Sequence, residues 1–162
     1  MTQEEVLLLF EQYHNMVYRL ALASLRSQPD AEDVTQTVFL KLLEGNTGPM
    51  PGKEGAWLAR VTVNACRDLM RRFWRRKTEP LDETIPFSQP EERTLFEAVM
   101  SLPDKYRIVV HLHYYEGYTF AETGKLLGLS PSTVSMRLFR ARNMLRNHFQ
   151  EEVYEKFVSE DV

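Results

Sequence analysis

The residues best suited to chemistry lie between Trp57 and Lys77. Wound at 3.6 residues per turn, this stretch places Leu58, Val61, Ala65 and Leu69 in one apolar stripe. Trp57, Arg60, Asn64, Arg67, Arg71, Trp74 and Arg75 fall roughly opposite, with Arg72 beside them. From Arg67 to Lys77 there are five arginines and one lysine against the single acid Asp68. Guanidinium groups bind phosphate oxygens through forked donors, an asparagine amide can pair with a base edge, and an exposed indole offers a stacking platform for an unpaired base. A solvated amphipathic helix also displays charge, with arginine stems lying along its surface. It has no reason to gather cations so densely, and the face reads as a nucleic-acid surface.

The other polar groups do not assemble into a reaction centre. Ser130, Ser132 and Ser135 lack an accompanying histidine and carboxylate arrangement, and there is no glycine-rich phosphate loop behind a strand. His111, His113 and Glu116 can be imagined as metal ligands, but residues two apart point to different sides of a helix. The one cysteine, Cys66, excludes a disulfide framework and a cysteine-ligated metal, and reads as a buried structural thiol. No cofactor, no metal and no enzymatic activity are expected.

The elements that must position the basic face are helical throughout. Thr2-Gln-Glu-Glu5 has capping-box spacing and opens a first helix carrying Phe10, Tyr13, Val17 and Leu20. Pro29-Asp30 is read as a break, with a second helix starting at Asp30-Ala-Glu-Asp33 and ending at Gly45. Its inner face is Ala31, Val34, Val38 and Leu42, and its other faces carry Asp30, Glu32, Asp33, Gln36, Phe39 and Lys41. The loop from Gly45 to Gly55, with four glycines and two prolines, delivers the chain into the arginine helix, where it can catch an unstacked base. Further on, Glu91 to Met100 and Asp104 to Tyr115 read as helices, and Thr119-Phe-Ala-Glu122 is a second capping box opening a helix to Leu127. Gly128-Leu129-Ser130-Pro131 is a tight turn in which Ser130 caps the last helix and Pro131 is its first residue. That helix buries Val134, Leu138, Ala141 and Leu145 and exposes Ser132, Ser135, Met136, Phe139, Arg140 and Asn143. Two short helices around a glycine turn, the second flanked by arginine, describe a helix-turn-helix whose second helix enters the major groove.

Charge divides the chain in the same way. Residues 1–77 carry 11 basic and 9 acidic side chains, a net +2, and residues 93–148 carry 8 and 4, a net +4. The intervening residues 78–92 contribute −5 and the last fourteen residues −4, so the overall −3 conceals two positive units, a negative linker and a negative tail. The linker, with three prolines between Thr78 and Pro90, spans at most about 50 Å when extended. The tail holds Val153, Tyr154, Phe157 and Val158, enough for a short amphipathic helix that could fold back on the second basic unit. No signal-peptide pattern and no apolar run of roughly 18 residues is present, so a cytoplasmic location without membrane insertion is expected.

This order of parts resembles the extracytoplasmic-function (ECF) group of bacterial sigma factors, the smallest members of the sigma-70 family. Asp30-Ala-Glu-Asp-Val-Thr-Gln-Thr-Val-Phe39 looks like the family's polymerase-binding region 2.2. Trp57-Leu-Ala-Arg-Val-Thr-Val-Asn64, running on through Asp68 to Arg72, resembles regions 2.3 and 2.4. Leu102-Pro-Asp-Lys-Tyr-Arg107, Tyr114-Tyr-Glu-Gly117, Gly128-Leu-Ser-Pro-Ser-Thr-Val134 and Arg137-Leu-Phe-Arg-Ala-Arg142 look like region 4. The resemblance implies an all-α protein of two small helical domains: a sigma2-like unit at 1–77, a linker at 78–90, a sigma4-like unit at 91–148 and an acidic tail at 149–162. It implies docking of Asp30, Asp33, Gln36 and Phe39 on the clamp helices of the largest subunit of core RNA polymerase. It further implies −10 melting by Trp57, Arg60, Asn64, Arg67, Arg71, Arg72 and Arg75, and −35 recognition by Ser132, Ser135, Met136, Phe139, Arg140 and Asn143. A contact of the second unit with the beta-flap, passage of the acidic linker near the polymerase active-site cleft, and an anti-sigma partner are expected on the same ground. Two positions depart from the family pattern. Thr123-Gly124 stands where isoleucine-alanine is usual, and Ser135-Met136 where a basic residue commonly follows the valine. The rival reading is a dimeric helix-turn-helix regulator that binds operator DNA without polymerase.

Overall fold

Residues 1–72 and 90–148 are described by the structure, a computed structural model; Trp74, Arg75, Arg76, Lys77, most of the linker and the acidic tail lie outside them. The chain divides into two compact units, Met1–Ile85 and Pro86–Val162. Every regular element among the described residues is helical.

In the first unit, α1 (Gln3–Leu25), α2 (Gln28–Glu44) and α3 (Glu54–Arg72) all pack on one another. The Thr2 hydroxyl accepts from the Glu5 N–H while the Glu5 carboxylate accepts from the Thr2 N–H, satisfying two donors at the start of α1. Pro29 does not break the chain. It sits in the first turn of α2, where a proline costs no hydrogen bond, and the cap is Ser27, whose hydroxyl accepts from the Asp30 N–H. Val17, Leu20, Ala31, Val38, Leu42, Leu58 and Ala59 are buried to 1% exposure or less and form the centre of the core.

The buried face of α3 is Leu58, Ala59, Thr62, Val63 and Cys66, turned from the expected stripe so that Val61, Ala65 and Leu69 lie at its half-buried margin. Two polar groups on that face are accommodated locally. The Thr62 hydroxyl donates to the Leu58 carbonyl at 2.6 Å, and Cys66 hydrogen-bonds Ser24 of α1. Burial pushes the Cys66 thiol up to about 12, only partly offset by Ser24, so it is neutral and inert at physiological pH.

The second unit contains α4 (Pro90–Met100), α5 (Asp104–Val110) continued by a π-helical turn (His111–Tyr115), α6 (Phe120–Leu127) and α7 (Pro131–His148). Helix α7 packs on α4, α5 and α6. The buried Arg107 guanidinium ties down the turn before α5. Nη1 donates to the Leu102 carbonyl at 2.7 Å and Nη2 to the Asp104 carboxylate at 2.6 Å, so its charge is not left unpaired. His111 Nε2 donates to Glu116 at 3.1 Å, whereas His113 Nδ1 donates to the Tyr118 carbonyl at 2.7 Å. The two imidazoles thus serve different partners, and among the described residues no group of three or more His, Cys, Asp or Glu is arranged to hold a metal.

The helix-turn-helix closes through backbone. The Gly124 carbonyl accepts from both the Gly128 and the Leu129 N–H groups, and a Cβ on Gly124 would overlap the Leu129 carbonyl oxygen. Next to it, Thr123 is fully buried with its hydroxyl unpartnered, an unsatisfied polar group in the interior of the second unit. Replacing Thr123→Val should therefore stabilise the second unit by about 1 kcal/mol. Gly124→Ala should destabilise it by about 1–3 kcal/mol, because backbone must move. Thermal and denaturant melts of the three proteins check both; a less stable Thr123→Val or an unchanged Gly124→Ala would contradict the packing described.

Candidate nucleic-acid interface

Arg60, Asn64, Arg67, Arg71 and Arg72 are all exposed on α3, and Trp57 is half-buried at its start. Because Leu58, Thr62 and Cys66 are held against α1 and α2, these groups project from a fixed backbone. The helix begins cleanly: the Glu54 carboxylate accepts from the Gly52 N–H at 3.1 Å, and Gly55 lies against the Tyr13 ring, where a Cβ would be 3.2 Å from the nearest ring carbon. Asp68 lies 3.6 Å from the Arg71 guanidinium. Both side chains are largely exposed, and such a pair is worth at most about 1 kcal/mol, so an incoming phosphate can displace the carboxylate.

The Gly45 to Gly55 loop runs directly into α3, the Trp57 N–H donating to the Lys53 carbonyl at 3.0 Å. It borders a cavity of about 590 Å³ whose floor includes Leu8, Leu9 and Leu42 and whose lining contains the carboxylates Glu5 and Glu54. None of Trp57, Arg60, Asn64 or Arg67 lines it.

Helix α2 presents Asp33 and Gln36 to solvent but not all of the expected docking set. Asp30 is buried, because it lies in the first turn of a helix that starts two residues earlier than the sequence suggests. Phe39 is also buried, with its ring edge-on to Phe10 of α1, centroids 5.0 Å apart. Both were expected on the outer faces of α2 and instead pack within the first unit. Sequence reasoning missed Leu40 and Leu43, 54% and 51% exposed, which continue the Asp33 and Gln36 face along α2. Their signal was available: they fall outside the 31, 34, 38, 42 core series.

On α7, Val134, Leu138 and Ala141 are buried, Leu145 is half-buried, and Ser132, Met136, Phe139, Arg140 and Asn143 are exposed. Ser135 is half-buried. The Ser130 hydroxyl accepts from the Thr133 N–H at 3.2 Å and caps the helix ahead of Pro131. Arg140 hydrogen-bonds the Tyr106 hydroxyl of α5, and this contact is the main cause holding that phenol below its ordinary pKa.

Two family models match the chain in register with these surfaces: Sigma-70 region 2 over residues 9–76, and Sigma-70 region 4 over residues 92–145. The chain is 32% identical over 143 residues to the ECF RNA polymerase sigma factor SigM of Mycobacterium tuberculosis, covering 85% of this chain and 73% of that protein. It belongs to the ECF sigma factors. These are RNA polymerase sigma factors that direct transcription from promoters, and the region 2 match leaves the operator-binding regulator without support. The ECF sigma factor SigE of Mycolicibacterium smegmatis is 33% identical over 153 residues, 86% of this chain but 60% of SigE, so the chain spans somewhat less than two thirds of that relative. Among solved structures, the sigma factor RpoE in complex with the anti-sigma factor NepR from Bartonella quintana shares the fold. Its TM-score is 0.74 at 19% identity, over 90% of this chain and 94% of that one. In this ECF factor no helix among the described residues is long and apolar enough to cross a membrane.

The placement of Phe39 separates folding from docking. Phe39→Ala should cost about 3–5 kcal/mol of stability in the first unit, whereas Gln36→Ala should leave its melting unchanged. Equal melts for the two variants would show that the Phe10 and Phe39 contact contributes nothing.

Proposed function

We propose that this chain is the promoter-specificity subunit that joins core RNA polymerase, acting in the cytoplasm and without a catalytic residue of its own. The observation that carries the reading is the division of exposed faces within the first unit. Helix α2 offers an acidic and apolar surface at Asp33, Gln36, Leu40 and Leu43, while α3 offers cations and an amide. The first surface suits a protein partner, which we assign to the clamp helices of the polymerase largest subunit. The second suits a separated DNA strand at the −10 element, with phosphates neutralised by Arg60, Arg67, Arg71 and Arg72 and an unpaired base met by Asn64 and Trp57.

Residues 1–77 then work as the sigma2 domain, 78–90 as the linker and 91–148 as the sigma4 domain, whose α7 reads the −35 element while the unit contacts the beta-flap. Arg75, also within the −10 set, lies outside the described residues. An anti-sigma factor is the natural inhibitor, by analogy with the RpoE and NepR pair. A regulator acting without polymerase would have no use for the α2 face.

Loss of two phosphate contacts tests the assignment. Arg67→Ala combined with Arg71→Ala should leave polymerase co-purification intact, reduce permanganate reactivity of thymines in the promoter bubble, and flatten the salt dependence of DNA binding by about two units of slope. Undiminished promoter opening by this variant would refute the role of α3.

A further inference from the structure

The groups that α7 presents to DNA are mainly apolar at the centre of its exposed stripe. Ser132 shares its hydroxyl with Ser130 at 3.1 Å, Ser135 is half-buried, and Arg140 is hydrogen-bonded to Tyr106. Between them, one helical turn apart, Met136 and Phe139 are 51% and 58% exposed. Charge complementarity selects the class of partner: residues 93–148 carry a net +4, with Arg137 and Arg142 on the same helix. An electropositive helix seated in the major groove meets base edges that are almost wholly donors and acceptors. The exception is the C5-methyl group of thymine, the one apolar feature an unmodified base pair shows there.

We propose that Met136 and Phe139 are specificity determinants that read thymine methyl groups in the upstream promoter duplex. The proposal rests on the reading that α7 enters the major groove. Side chains three residues apart on a helix are about 5–6 Å apart, so the two methyl groups should belong to thymines one or two base steps apart. Recognition passes from charged donors to shape and apolar contact, while the arginines hold the backbone.

Deoxyuridine, which pairs as thymidine does but lacks the methyl group, is the direct probe. The full chain bound to core polymerase would first select preferred duplexes from a library randomised across the −35 window. Each thymine in the selected site would then be exchanged singly for deoxyuridine. The expected result is a loss of about four-fold in affinity at one or two positions, the effect of burying one methyl group. Met136→Ala and Phe139→Ala, surface changes whose folding is verified by circular dichroism, should bind the thymine duplex more weakly and each lose the discrimination at one position. Sequence selection with equal affinity for thymine and deoxyuridine at every position would overturn the methyl reading alone. Absence of any upstream sequence selection would overturn the groove placement of α7 with it. If Phe139→Ala abolishes co-purification with polymerase and leaves the discrimination unchanged, the exposed pair is a protein contact and the proposal fails.

Discussion

A helix that must bury one side of itself completely can offer only its other side to a partner, and α3 is under that constraint. Leu58, Ala59, Thr62, Val63 and Cys66 form a continuous buried face against α1 and α2. The two polar members are kept there by bonds to Leu58 and Ser24 rather than by water. Rotating α3 by even a third of a turn would bring charge into the core, at a cost of several kcal/mol per unpaired ion. The positions of Arg60, Asn64, Arg67, Arg71 and Arg72 are therefore set by packing on the far side of the helix, and the basic surface is preorganised before any nucleic acid arrives.

The second unit solves the same problem with backbone. Gly124 lets the turn residues Gly128 and Leu129 close onto its carbonyl, so α7 begins at a fixed angle from α6. Arg107 pins the turn before α5 from within the fold, and Tyr106 of α5 takes up one arginine of α7. What α7 has left to offer is then decided by the remaining exposed side chains, which are chiefly apolar and amide. On the reading proposed for this unit, affinity and selectivity come from different atoms: guanidinium groups toward phosphates, and Met136, Phe139 and Asn143 toward base edges.

Much of the architecture is written in local chemistry. Thr2 and Thr119 announce their helices because each has a glutamate three residues on to complete the box, and Gly45 and Gly128 mark helix ends because both adopt positive φ. The arginines of α3 are legible since their charge alone forces them outward. Phe39 and Leu40 were not. Neighbouring apolar residues on an amphipathic helix compete for the core, and which one wins depends on the partner across the interface, here Phe10, and not on the period of the segment. Asp30 was misplaced for a related reason: proline reads as a break, yet in a first turn it is compatible with helix, so α2 starts earlier and carries the carboxylate inward. Residues that combine exposure with apolar character, such as Leu40, Leu43 and Met136, are the hardest to find from pattern because hydrocarbon is ordinarily evidence of burial.

The account depends on the two units acting together through polymerase and not on either binding DNA alone. Run-off transcription from genomic fragments, with purified core polymerase in the presence and absence of the chain, measures this directly. Discrete transcripts that appear only when both are present are the predicted result. A chain that fails to associate with core polymerase, or a transcript pattern unchanged by its addition, would contradict it.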